Sequence, residues 1–537
     1  MGQREEVGNE RIAARLDEFA ALLELADAGY YSARAYRRAA ERVRAAPVDI
    51  AALVRAGRIR ELQGIGPGIE ARLLELIETG DIAELAELRR STPLELAAFG
   101  RMLGIGAKRA VAIGAALGIT TVPEFRQAAA TGRLLEVPGI GATTEARILA
   151  ALERERGPRA PGLLLPRARA VTEQVAAALG GIPAGDARRW TDESKRLAVV
   201  VGSDDPEGMR ERFAALPEIV ALLDPTTGIT ADGIPIELVT APASELGTAL
   251  VRATGPPEHV AALGPLPEAP DEATMYGRLG LPCPPPEIRT ARIEAEPPAL
   301  VELHEIRGDL HSHTTWSDGR ATVLEMGAAA RERGYEYLAI CDHTPDVGVV
   351  TGLDADALRR QGDEIAAANE QLAPFRILRG VECDIRSDGS LDLPDDVLAE
   401  LEWVQLSLHR GQRAPRAELT ARVTEAMRHP AVRCLSHPTG RLIGHRPAND
   451  LDLERTIEVA LETGVALEVN GLPSRLDLSG EHVRRAVEAG VRIVCSTDAH
   501  SVLGLDAMEL AVHTARRGRA AAADVLNTYS LEVVLAR

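Results

Sequence analysis

RGDLHSHTTWSDG (307–319), YLAICDHT (337–344), RILRGVECD (376–384), WVQLSLHR (403–410), VRCLSHPTG (432–440), VALEVNG (465–471) and VRIVCSTDAH (491–500) decide the fold of the C-terminal half. Each is an apolar run of strand length that ends in polar residues, and in most of them one of these can ligate a metal. Ala-rich amphipathic stretches such as VLEMGAAARERGY (323–335) and HVRRAVEAGV (482–491) lie between most of the runs. The alternation predicts seven β/α units, with the polar residues at the C-terminal strand ends, where β/α barrels assemble their active sites.

The candidate ligands are His311, His313, Asp318, His343, Glu382, His409, His437, Asp498 and His500. His311 and His313, at i and i+2 of a strand end, point to the same side, so both rings can reach one ion. Imidazoles mixed with carboxylates suit Mn, Zn or Fe rather than Ca or Mg alone, and nine ligands exceed what one ion takes. Two or three divalent ions are expected, an arrangement that activates water and neutralises a phosphate. A single histidine is more often a satisfied core residue, and that reading is kept for His304, His429, His445, His482 and His513, which fit no strand end. Nine such residues in register at successive strand ends are not explained that way.

Outward from this region the composition changes. Of the 12 histidines only His259 lies before residue 301, so a domain with separate chemistry is expected at 304–537. Just upstream, LGLPCPPPEIR (279–289) and EAEPPAL (294–300) are proline-rich and aperiodic, which predicts an extended linker over 286–303. The 537-residue length calls for several domains, single cores usually holding about 100 to 200 residues. Five cysteines without CxxC spacing suggest buried thiols rather than disulfides or a cysteine metal site. The charged start MGQREEVGNERIAARL and the absence of any apolar run of membrane-spanning length predict a cytoplasmic protein with no membrane partner. The net charge of -19 is unevenly spread. Residues 1–157 carry 22 Lys and Arg against 22 Asp and Glu, so the excess lies downstream and does not exclude DNA.

Residues 1–157 read as helices broken by Gly-containing turns, with one pattern in three copies: LQGIGPGIEARL (62–73), MLGIGAKRAVAI (102–113) and VPGIGATTEARI (137–148). Each is an apolar residue, a Gly-Ile-Gly turn and a helix start. Such glycines allow backbone N–H groups at a helix N-terminus to approach a phosphate. The pattern resembles the helix-hairpin-helix motif, which grips DNA backbone without reading sequence. The resemblance names Gly64, Gly66, Gly104, Gly106, Lys108, Gly139 and Gly141 as DNA-binding residues. Residues 158–285, with the runs LAVVVGS (197–203) and IPIELVTAP (234–242), predict a small α+β domain.

The C-terminal motif order HxHTxxSDG, DH, GxE, LH, SHPTGR, DAH resembles the PHP (polymerase and histidinol phosphatase) family over about 230 residues. The resemblance implies a distorted (β/α)7 barrel and a trinuclear site on the nine residues named. It makes His311, His313 and Glu382 catalytic and offers Arg441 to a substrate phosphate, with Asp342 a supporting partner. LADAGYYSARAYRRAAERVR (25–44) with the three repeats resembles bacterial family X DNA polymerases, in which a polymerase core precedes a PHP domain. The resemblance therefore covers the whole chain.

Against that family the palm is degenerate. Matching AGDARRWTDESKRLAVVVGSDDPE (184–207) to the family's Gly-Ser turn and Asp-x-Asp strand puts Asp186 at the Ser and Arg196 and Ala198 at the two aspartates. Only Glu237 remains at the third carboxylate position. The 259–275 stretch is short for a thumb, and Arg72 stands where some members carry a lyase lysine, a role a guanidinium cannot fill. The expectation is a DNA-binding, metal-dependent phosphodiesterase, a 3′–5′ exonuclease or 3′-end processing enzyme of repair, without polymerase activity. The alternatives are an active gap-filling family X polymerase, a small-molecule phosphatase of the histidinol-phosphate type, and a non-catalytic DNA-binding scaffold.

Overall fold

A computed structural model describes residues 9–25, 30–44, 50–61, 65–91, 93–153, 162–293, 296–348 and 350–536. The chain forms two compact units. One comprises Met1–Leu163, Val171–Ile182 and Lys195–Ala241, the other Leu164–Ala170, Pro183–Ser194 and Pro242–Arg537. Among the described residues no helix is long and apolar enough to cross a membrane.

The second unit is built on seven parallel strands: β1 (Gly308–Ser312), β2 (Tyr337–Ile340), β3 (Arg376–Asp384), β4 (Trp403–Ser407), β5 (Val432–Leu435), β6 (Ala466–Asn470) and β7 (Ile493–Ser496). They neighbour one another in chain order. The register places Gly380 of β3 beside Trp403 of β4 and Glu468 of β6 beside Val494 of β7. The strand residues are buried almost throughout, as expected where helices cover the outer face and side chains fill the interior. Just past the strand ends, the N–H of His313 donates to the carbonyl of Ala499 at 2.8 Å and that of Asp498 to the carbonyl of His311 at 3.0 Å. These bonds join β7 to β1 and nearly close the barrel. One end is filled by Leu310, Tyr337, Leu378, Trp403, Cys434 and Val534, so the other end is left for the polar residues. Cys341, Cys383, Cys434 and Cys495 are buried in or beside strands, whereas Cys283 is half-buried and outside them.

In the first unit the helices Pro67–Thr79, Ala107–Leu117 and Ala142–Glu153 follow the three Gly-Ile-Gly turns. Gly104 and Gly106 of the second turn have φ of 69° and 87°, and Gly139 of the third has 84°, conformations that a side chain disfavours. Gly66 caps its helix in extended backbone, and Gly64 lies outside the described residues. A sheet of Leu197–Gly202, Pro235–Ala241, Thr227–Thr230 and Ile219–Asp224, adjacent in that order, contributes Ala221 and Ile229 to the core formed by Leu96, Phe99, Ile113 and Phe125.

Residues 158–285, expected as one domain, are thus divided. The sheet packs on the helices before it, while residues 164–170, 183–194 and 242–285 belong with the barrel. There Arg188 and Arg289 both pair with Glu272, at 2.6 and 2.7 Å. The expected linker 286–303 is irregular but tied down rather than extended. Glu287 meets His513 at 2.9 Å and Arg516 at 2.8 Å, and the N–H of Val301 donates to the carbonyl of Ala520 at 2.9 Å. Its prolines prevent regular structure without preventing burial.

Candidate metal centre

Each β/α unit brings its polar residue to the same barrel end because side chains alternate across a strand and the strands run parallel. Glu382, near the end of β3, is the hub. One carboxylate oxygen lies 2.9 Å from His343 Nδ1, 3.6 Å from His311 Nε2 and 3.7 Å from His313 Nε2. The other lies 2.9 Å from His437 Nε2 and 3.6 Å from His409 Nε2. Asp498 Oδ1 stands 3.1 Å from His313 Nε2 and 3.8 Å from His311 Nε2. Asp318 closes the open side, 3.3 Å from His500 Nε2 and 3.6 Å from His343 Nε2. All nine residues read from the strand ends therefore converge.

Within them, three sets have ligand atoms within 4.8 Å of one another: His313, Asp318, His343 and His500; His311, His313 and Glu382; His343, Glu382 and His409. The ring nitrogens crowd together, His311 Nε2 and His313 Nε2 approaching to 3.2 Å. The Nδ1 atoms of His313 and His343 are buried with no hydrogen-bond partner, although Glu382 is 2.9 Å from the latter. Imidazole nitrogens and carboxylate oxygens gathered this closely are what divalent cations require.

The electrostatics agree. Burial disfavours a charged His311, but Glu468, Asp498 and Glu382 outweigh it and hold the ring well above the usual histidine range. Burial also opposes protonation of His500, yet Asp318 and Asp498 raise it to about 9. His313 is pushed down to about 3 by burial and by His500 and His343. Burial works against ionised Asp318, which its histidine neighbours nevertheless lower to about 2. Glu382 and Asp498 are held well below the usual carboxylate range, their histidine neighbours overcoming burial. The pocket thus stabilises added positive charge at several points, and the residues fit a multinuclear divalent site. His437 and Asp498 also have φ of 23° and 54°, left-handed backbone that non-glycine residues adopt at a cost, here at two ligand positions.

Residues behind the ligands fix their orientation. Glu468, in β6, lies 2.6 Å from His311 Nδ1, leaving Nε2 to face the centre, and accepts from the backbone N–H of His437 at 2.5 Å. Asp384 lies 3.0 Å from His409 Nδ1. Asp342 accepts from the N–H of Thr314 at 2.8 Å and from Gln361 at 2.6 Å, holding the loop that carries Asp318. The sequence reading named Asp342 as a supporting partner but missed Glu468 and Asp384. Their signal was a carboxylate inside an otherwise apolar strand, and one spaced by two from Glu382.

Arg441 is placed differently from expectation. Its Nη2 pairs with Asp192 at 2.8 Å, its Nε donates to the carbonyl of Arg475 at 2.8 Å, and it also bonds the carbonyl of Leu476. Its Nε and Nη2 are thus taken up within the protein. Of the set-aside histidines, His513 stacks on Trp190 at 3.4 Å and His429 faces Asp395, and none of the five enters a ligand set.

In the first unit, a side chain added at Gly66, Gly106, Gly139 or Gly141 would meet nothing within 4 Å, so these turns are open to an approaching backbone. Lys108 lies in the first turn of its helix. Arg72 pairs with Glu75 at 3.3 Å and with Glu84. In the sheet, Ala198 is the parallel neighbour of Glu237, and Arg196 directly precedes that strand. The positions matched to the palm carboxylates therefore do lie side by side.

Comparison with known proteins is consistent with this layout. A helix-hairpin-helix domain model matches residues 7–82 and a SAM-like helix-hairpin-helix tandem model matches residues 99–154. The chain is 34% identical over 560 aligned residues to the DNA polymerase/3′-5′ exonuclease PolX of Bacillus subtilis, covering 97% of each. It is 33% identical over 202 residues to a probable phosphatase of Acetivibrio thermocellus, 36% of this chain and 78% of that protein. A probable phosphatase of Thermoanaerobacter sp. is 28% identical over 232 residues, 41% of this chain and 89% of that protein.

Proposed function

The chain belongs to the bacterial PolX family, the family X DNA polymerases that carry a C-terminal PHP domain, and on that premise we propose that it is a DNA-binding phosphodiesterase that shortens DNA from 3′ ends in repair. The observation that carries this reading is the hub. Glu382 stands between 2.9 and 3.7 Å from five histidines, with Asp318, Asp498 and His500 completing the set. Manganese or zinc, with iron as a further candidate, suits these donors, and two or three such ions would activate a water and neutralise charge at phosphorus.

What the chain itself does is orient and exclude. Glu468 and Asp384 fix the rings of His311 and His409, and the filled end of the barrel admits the phosphate from one side only. The open glycine turns hold DNA by its backbone, without base readout. Nucleotidyl transfer needs paired carboxylates. Here Arg196, just before that strand, and Ala198, within it and beside Glu237, take the places of the pair, so the palm serves folding and DNA placement. The test is a degradation and extension assay on primed, gapped DNA with Mn, with and without nucleotides. Shortening without extension is expected. A second reading, cleavage of 3′-terminal phosphate monoesters by the same site, is favoured by the relatives named as probable phosphatases. A 3′-phosphorylated primer in the same assay tests it.

A further inference from the structure

Arg475 lies in the turn that follows β6, and its guanidinium stands at the edge of the metal centre. Its Nε is 3.7 Å from Asp498 Oδ2, too far for a hydrogen bond. Nε and Nη1 are both buried and neither has a hydrogen-bond partner. Two buried guanidinium nitrogens that donate no hydrogen bond are costly even with the Asp498 carboxylate in ion-pair range of one, and buried polar groups without hydrogen-bond partners mark places where a ligand completes the structure.

The backbone of the turn is tied down. The N–H of Arg475 donates to the carbonyl of Leu472 at 2.8 Å, and its own carbonyl accepts from Arg441. Arg441 is anchored in turn by Asp192. Two residues on, Asp477 accepts from the N–H and hydroxyl of Thr439 at 3.1 and 2.9 Å and is bridged to Asn470. Arg441 therefore braces the backbone of the turn that carries Arg475.

We propose that Arg475 binds the non-bridging oxygens of the phosphoryl group cleaved at this site. A planar fork of donors beside the ligand Asp498 suits two phosphoryl oxygens and repels a further cation. Arg446, pushed below the usual arginine range by burial and by the fields of Arg475 and Arg413 against that of Asp477, adds to the positive charge on this side. Arg446 itself is committed to the carbonyl of Gly440 at 2.7 Å, whereas the Arg475 guanidinium stands beside the ligand Asp498.

This inference rests on the phosphodiesterase reading, and the experiment separates the two. Full-length wild-type, Arg475→Ala and Arg475→Lys proteins loaded with Mn are compared on a 5′-labelled single-stranded oligonucleotide. Metal content is measured by mass spectrometry and thymidine 5′-monophosphate binding by calorimetry. Arg475→Ala should lose about 100-fold or more in kcat/KM and about 10-fold in nucleotide affinity, with metal content and melting temperature unchanged. Arg475→Lys should fall between, and added methylguanidinium should restore part of the activity of Arg475→Ala. Wild-type rate and affinity in Arg475→Ala, or a loss that follows loss of metal with no rescue, would overturn the assignment. A wild-type protein that binds the nucleotide but leaves the oligonucleotide intact contradicts the phosphodiesterase reading instead.

Discussion

His311 Nδ1 and Glu468 Oε1 lie 2.6 Å apart inside the barrel, both fully buried, so one carboxylate sets the direction in which His311 presents its other nitrogen. The same Glu468 receives Ser436, Ser496 and the backbone N–H of His437. One side chain therefore ties β1, β5, β6 and β7 together behind the metal ligands.

Replacing it with Gln keeps the shape and removes the charge. Glu468→Gln is expected to weaken metal affinity about 10- to 100-fold while the protein stays folded. Metal titration against a competing chelator, with circular dichroism in parallel, checks this. Wild-type metal affinity in the variant would remove Glu468 from the site.

The glycine turns give a second expectation. Gly66 and Gly141 are not at positive φ, and a side chain there meets nothing within 4 Å, so Glu fits sterically at both. Its charge at a helix N-terminus competes with a phosphate for the same N–H groups. The Gly66→Glu, Gly141→Glu double variant should bind DNA about tenfold more weakly or worse, with a flatter salt dependence. Fluorescence anisotropy at several salt concentrations measures both, and an unchanged slope would argue against phosphate contact at these turns.

A third concerns pH. Burial raises the carboxyl of Glu287, but His513 and Arg516 outweigh it and lower it to about 2 from an ordinary 4.5. A carboxylate depressed on folding contributes stability that is present above its unfolded pKa and lost as pH falls through its folded one. The contribution should be full above about pH 5, of order 3 kcal/mol, and should fade between pH 4.5 and about 2. Glu287→Gln should therefore melt well below wild type at pH 7, with the gap closing as the pH falls through 4. A gap independent of pH would place the effect in packing rather than in the charge.

The barrel and its ligands were legible because the information is local. Each strand run ends within a few residues of its own ligand, and parallel strands with period-two side chains bring those ends together without further specification. Arg441 and Arg475 show where locality fails. They are 34 residues apart, and which of them faces the centre depends on Asp192, far away in the chain and pinning one of them. Glu468 was passed over because a mid-strand carboxylate reads as strand until the partner ring is placed beside it. The division of residues 158–285 depends on which side of the sheet finds apolar partners, in this case Leu96 and Phe99, and no boundary residue announces that.

On the proposed function, phosphoester cleavage takes place in the barrel and the palm does not polymerise. Its most direct test is one gel: 5′-labelled primer on gapped DNA with Mn and all four nucleotides, wild type beside a His311→Ala, His313→Ala variant. Wild type should shorten the primer from its 3′ end, the variant should bind the DNA with near wild-type affinity but leave it intact, and neither should extend it. Undiminished shortening by the variant, or template-dependent extension that survives the two substitutions, would contradict it.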